Sequence, residues 1–206
     1  MQVDYPHIEE DQRDRIAQII SFARTYSPDR GHDEQVARNA LQLFDQLSPL
    51  HGLPGNDRFL LHAACILHDI GWSRGDRAHN KSGARMVRRD RTLPLTKEER
   101  QQIALLVRYH RKELPSSSQR RFAALKAADK KRVAILSSIL RIADGLDRSH
   151  QSRVEAITVT IRRDRVIIRC HANSEGYSER EYAMARADLF TMVFSRTVEI
   201  DWKIAG

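Results

Sequence analysis

Two cysteines in 206 residues, Cys65 and Cys170, are too few and too far apart for a disulfide scaffold or a zinc finger. They read as small apolar packing residues in a reducing, cytoplasmic environment. No stretch approaches about 18 apolar residues, so no transmembrane helix is expected. The opening MQVDYPHIEEDQRD is acidic and has no apolar run, which excludes a signal peptide as the expectation. Internal repeats and low-complexity tracts are lacking. What remains is ordinary globular composition, 41% hydrophobic and 30% charged, at a length that suits one domain with a small appendage.

The formal charge of +8 is concentrated locally. Between Arg108 and Arg148 eleven Lys and Arg face four acids, Glu113, Asp129, Asp144 and Asp147. Such a field concentrates anions. Aromatic rings are scarce there. Only Tyr109 and Phe122 interleave with the bases, a poor stacking platform, so nucleic acid is the disfavoured partner, and a solvated helix face stands as the plain alternative to an anion-binding surface.

Helical periodicity is predicted over 8–26, 32–47, 57–70, 80–88, 96–110, 119–127 and 130–146. Thr96-Lys-Glu-Glu99 is a capping box, and the Pro- and Gly-rich 48–56 reads as a loop. The pattern then changes to alternation, with strands over 154–161 and 166–171, a helix over 178–190 and a third strand over 193–202. The expected fold class is therefore mainly α, an all-helical bundle over 1–150 with a small ββαβ appendage over 151–206.

His68-Asp69 stands out among the polar residues because it ends the most apolar helix, where two polar groups conflict with burial unless something satisfies them. A divalent ion would do so through imidazole nitrogen and carboxylate oxygen. His32 opens one helix, His110 closes another beside an apolar face, and Asp144 lies near the end of the last long one. Helix ends converging on one rim is how a bundle builds a metal site. His62 falls on a different helix face from His68 and reads as structural, and His150 reads as exposed.

His32, His68-Asp69 and Asp144 in that order resemble the signature of the HD superfamily of metal-dependent phosphohydrolases, and His79 and His110 match the extra histidines of its two-metal members. Leu67-His-Asp-Ile-Gly71, Leu106-Val-Arg-Tyr-His-Arg-Lys112 and Leu140-Arg-Ile-Ala-Asp-Gly-Leu-Asp-Arg-Ser-His150 are similar to the C-terminal region of the exopolyphosphatase/guanosine pentaphosphate phosphohydrolase family. The resemblance runs from about residue 10 to the end. It implies an HD-type bundle and one or two divalent ions, Mn, Fe, Mg or Zn, held by His32, His68, Asp69 and Asp144, with His79 and His110 on the second and Asp69 between. His68 and Asp69 would be central to catalysis. In that family the phosphatase site is attributed to an N-terminal actin-like domain, which this sequence is expected to lack.

The leading expectation is a stand-alone phosphohydrolase acting on a nucleotide, guanosine polyphosphate or polyphosphate, in which the ions activate a water and clamp phosphoryl oxygens. Arg108, Arg111, Lys112 and Arg148 flank the proposed ligands and are the candidate phosphate contacts, with Lys81 beside them. The competing expectation is a non-catalytic module that binds such a ligand and regulates a partner. The strand-rich tail offers edges through which two copies could pair as a homodimer.

Overall fold

The structure is a computed structural model that describes residues 10–75 and 78–204. The polypeptide runs α1 (Glu10–Ala23), α2 (Arg30–Gln46), α3 (Ser48–His51), α4 (Gly55–Leu67), a 3-10 turn (Ile70–Arg74), α5 (His79–Arg89), α6 (Lys97–Tyr109), α7 (Arg120–Ala123) and α8 (Ala127–Gly145). It continues through β1 (Val154–Ile161), β2 (Arg165–Ala172), α9 (Tyr177–Ala185), α10 (Asp188–Phe194) and β3 (Thr197–Ile204). The protein is mainly α with a small C-terminal sheet, as its periodicity implies.

Local sequence explains most boundaries. Asp29 caps α2 by accepting from the His32 amide. The capping box of α6 is complete, with Thr96 Oγ1 accepting from the Glu99 amide and Glu99 accepting from the Thr96 amide. The helix expected from residue 8 is described from Glu10; residues 8 and 9 lie outside the described residues.

Three expectations are corrected. The 48–56 loop contains one helical turn, α3, with Pro49 in its first turn, where a missing amide costs nothing. The helix predicted over 57–70 stops at Leu67 and is followed by the 3-10 turn. The tail holds two helices rather than one. Val193 and Phe194 belong to α10, which Ser195 ends in a left-handed conformation at φ 52°, so β3 begins at Thr197 instead of Val193.

The sheet order is β1-β2-β3, with β2 antiparallel to β1 and parallel to β3. The parallel pair requires a crossover, which α9 and α10 provide. Val166, Ile168, Cys170 and Ala172 alternate inward on β2, and the first three join the same apolar core as the bundle. The outer edge of β1 is closed by glutamines of α2. Gln42 accepts from the Ile157 amide, and Gln46 bonds both Ile157 O and the Val159 amide. Gln35 donates to Val154 O. α9 meets α8 backbone to backbone: a Cβ on Gly145 would lie 2.6 Å from Ala183 Cα.

Candidate metal centre

The bend after α4 creates the site. Asp69 has φ −106° and ψ 3°, in the sparsely populated bridge region. His68 and Asp69 therefore leave the helix together and enter the rim where α2, α5, α6 and α8 converge. Gly71 lets the 3-10 turn lie on the start of α5; a Cβ there would stand 2.0 Å from His79 O. That contact sets His79 beside Asp69.

Six side chains meet at the rim in two triads, His32/His68/Asp144 and Asp69/His79/His110, each with donor atoms within 4.8 Å of one another. His32 Nε2 lies 3.3 Å from His68 Nε2 and 3.4 Å from Asp144 Oδ1. Asp69 stands between the triads. Its Oδ2 is 3.6 Å from His68 Nε2, and its Oδ1 is 3.2 Å from His79 Nε2 and 3.7 Å from His110 Nε2. All but Asp144 are buried, and Asp144 is partly so.

The outer nitrogens of three rings are pinned. His68 Nδ1 donates to Cys65 O at 2.6 Å, and His110 Nδ1 donates to Val107 O at 2.7 Å, each one helical turn back. His32 Nδ1 pairs with the buried Asp147 Oδ2 at 2.8 Å. This fixes each ring with its Nε2 lone pair toward the centre, the arrangement that supporting partners impose on metal-binding histidines. Two imidazole nitrogens facing each other at 3.3 Å are satisfied only by a shared proton or by an ion. Nitrogens about 2.0–2.1 Å from a tetrahedral ion stand roughly 3.3 Å apart, so the spacing fits. The residues fit a divalent ion.

Electrostatics follow from this crowding. Burial would raise the Asp69 pKa, but the charge of His68 and the hydrogen bond with His79 outweigh it and hold the carboxyl well below its usual range. Asp144 is held low in the same way, against burial, by His32 and Arg186. Burial and the neighbouring His68 push His110 down to about 3, whereas hydrogen bonds to Asp144 and Asp147 overcome burial and raise His32 to about 10. Asp33, buried with Oδ1 unpartnered 3.6 Å from His68 Nδ1, is raised by burial to about 6.

A family model described as Ppx/GppA phosphatase, domain III matches residues 14–191. The chain belongs to that family. The match contains all six residues of the two triads, and it runs through β1, β2 and α9 into α10 of this domain III chain, stopping short of β3.

A cleft of about 300 Å³ opens onto the domain III centre. His32, Asp69, His79, His110 and Asp144 line it, and Arg111 and Arg148 stand at it as the sequence placed them. Arg111 Nη1 lies 3.1 Å from His79 Nε2. The other three candidate phosphate contacts are elsewhere. Lys81 and Arg108 both pair with Glu113 at 2.6 Å and line a separate groove, and Lys112 is exposed outside the cleft. The reason is helical: Lys81 lies two positions after His79 and therefore points to a different face of α5.

Sequence reasoning missed several contributors. Asp147 sits inside a quoted motif, three residues after Asp144, and that one-turn spacing was its available signal. Arg186 immediately follows α9 and bonds Asp144 Oδ2 at 2.8 Å and His110 O at 3.0 Å. Nothing local marks it. Two arginines nearer in sequence are engaged elsewhere: Arg141 bonds Asp188 and Arg148 lies over Tyr182. His150, read as merely exposed, stacks on His32 with ring centroids 3.8 Å apart. Trp72 stacks on His79 at 4.3 Å.

Proposed function

We propose that this chain is a metal-dependent phosphohydrolase of the HD type, acting on a phosphorylated anion: a nucleotide, a guanosine polyphosphate or polyphosphate. The observation that carries this reading is the inward convergence of four imidazole Nε2 atoms and two carboxylates, with three outer nitrogens already committed to Cys65 O, Val107 O and Asp147. A scaffold that spends supporting hydrogen bonds on ring orientation is built for ligation.

His32, His68 and Asp144 would hold one divalent ion (Mn, Fe, Mg or Zn), and Asp69, His79 and His110 a second, with Asp69 facing both. Ions there would supply Lewis acidity toward a phosphoryl oxygen and lower the pKa of a water. The protein's own part is to orient and to neutralise. Arg111 and Arg148 line the cleft and bind phosphoryl oxygens as planar forks. Arg186 keeps Asp144 turned inward by holding its second oxygen. Trp72 and His150 cover the outer faces of His79 and His32 and limit water access from those sides.

A second reading has its own support. The matching family model is described as one domain of a phosphatase, its third, so a non-catalytic module that binds the same class of anion and regulates a partner suits that description. The experiment that separates them is a phosphoester panel of nucleotides, guanosine polyphosphates and polyphosphate, run with Mn and with Mg, on wild type and His68→Ala. Turnover lost in the variant, with folding preserved, supports the enzyme. Anion binding without turnover under any metal favours the module.

Among the described residues no helix is long and apolar enough to cross a membrane. A cytoplasmic location accompanies the reading. The outer edge of β3 has no strand partner within the sheet, which supports pairing of two copies as a homodimer.

A further inference from the structure

A cavity of about 480 Å³ opens away from the metal cleft, where the end of α1 and the turn after it face α5. Two aromatic rings and a thioether form its floor: Phe22 from α1, Tyr26 from the turn and Met86 from α5. The Phe22 and Tyr26 rings lie 5.1 Å apart, tilted by 52°. All three side chains pack on the core yet are only partly buried, so each keeps apolar surface in reach of water. Arg74, at the end of the 3-10 turn, and Arg85 and Arg89, on α5, stand around this floor and are exposed. Arg85 also borders the groove between α5 and α6 that takes Lys81 and Arg108. None of these three arginines makes an ion pair or hydrogen bond with another described residue.

Folding alone gains little from this arrangement. Rings left at an opening keep apolar area in water, and Arg85 and Arg89, four residues apart, place like charges one above the other on α5. A ligand that relieves both needs an apolar group with negative charge around it. Asp90 narrows the chemistry further. It lines the same cavity, and its Oδ1 accepts from the Thr92 amide and hydroxyl, which hold the carboxylate in place. A fixed carboxylate repels a densely charged phosphate chain but accepts from a backbone N–H. Ser82 adds a hydroxyl that donates or accepts. Such a mixed set is what the main chain of an extended polypeptide requires. The volume lies within the range of ligand clefts, about 300–1,000 Å³.

We propose that this cavity docks a short acidic segment of a partner protein, one that carries a phenylalanine or leucine side chain between carboxylates. The apolar side chain enters over Phe22, Tyr26 and Met86, and the flexible thioether adapts to its shape. The flanking carboxylates take the guanidinium forks of Arg74, Arg85 and Arg89. Charge complementarity selects acidic segments and rejects basic ones. The 3-10 turn and α5 also carry Trp72 and His79 to the metal rim, so a docked segment lies behind that rim. No residue of the two triads lines this cavity, and docking requires no ion. The inference and the proposed hydrolase therefore stand or fall separately.

The test is fluorescence anisotropy, with the full chain in excess EDTA titrated into fluorescein-labelled Glu-Asp-Phe-Glu-Leu-Asp-amide. Saturable binding is expected. Replacing the peptide's two apolar residues by alanine, or its acids by lysine, should weaken binding roughly tenfold or more. Arg74→Gln/Arg89→Gln should weaken it roughly tenfold from the protein side. Both arginines are exposed and without a described partner, so that variant should melt no lower than wild type. Met86→Gln puts an amide into the apolar floor and checks the anchor independently, with the same direction of effect. Arg88→Gln borders the neighbouring groove but not this cavity, and should leave affinity within about twofold. No saturable binding, equal binding of the alanine peptide, wild-type affinity in either folded variant, an equal loss in Arg88→Gln, or displacement of the peptide by ATP at equal concentration would each overturn the proposal.

Discussion

The metal centre and the α5–α6 groove both collect polar side chains at the surface of one bundle, but they are built oppositely. At the centre the rings of His32, His68 and His110 are tied behind by Asp147 or a carbonyl, and Asp144 is tied by Arg186. In the groove Arg85, Arg88 and Arg121 hang without partners among the described residues. Ligation needs donor atoms held to within tenths of an ångström, and hydrogen bonds from behind achieve that. Attraction of an anion needs only field and mobile forks. The difference teaches that side-chain support, more than charge, is what distinguishes the two sets of polar side chains.

Four substitutions and one titration test this contrast. His68→Ala removes one of the proposed ligands itself. Its loss of turnover, measured on the substrate found in the phosphoester panel, should exceed the roughly 100-fold that bounds loss of a supporting partner. Equal turnover would erase the distinction. Gly71→Ala should be next in effect. The new Cβ meets backbone at His79 O and Gly83 N, at 2.0 and 2.5 Å, which no side-chain rotation relieves. Destabilisation of about 1–3 kcal/mol or more is expected in denaturant melts. Asp147→Asn keeps shape but weakens the support behind His32, and should lower metal affinity about 10–100-fold by competition with a chelating dye.

The pH dependence comes from the bundle's buried rings, not from the groove. His110 and His62 are pushed down by burial, to about 3 and about 4. In the unfolded chain they titrate near 6.5, so between that value and about 4 the unfolded state binds more protons. Their contribution to metal-free stability is complete above 6.5 and declines as pH falls through this window. His32 has the opposite sign. Its raised value near 10 gives stability that is full below 6.5 and is lost as pH rises toward 10. Urea melts of chelated protein from pH 4 to 10 should therefore show a maximum in the middle. The smallest effect belongs to the groove: Arg121→Gln should change stability by no more than about 0.5 kcal/mol.

Much of this was legible in the amino acids. The apolar stripe of α4 ends in His68-Asp69, and that mismatch between burial and polarity marks the centre without any structure. His32, His110 and Asp144 could be placed because each sits at the end of a periodic segment. Arg186 could not be, because it reaches Asp144 across 42 positions of sequence through a crossover whose second helix is hidden in an apolar run. Lys81 and Arg108 were misplaced for a related reason. Adjacency to a ligand along the chain does not fix direction on a helix, and Glu113, five residues beyond Arg108, holds both toward the other side. The α3 turn escaped because Pro and Gly signal breaks more strongly than four residues can signal a helix.

The missing side chain at Gly145 has one more consequence. It abuts Asp144 in sequence and Ala183 in space, and Arg186 follows three positions later in the chain. With no Cβ cushioning the contact, the backbone of the sheet's crossover lies directly on that of α8 at the residue after Asp144. The hindmost quarter of the polypeptide thus braces the rim that carries the two triads, and trimming it away would leave one wall of that rim without its backing.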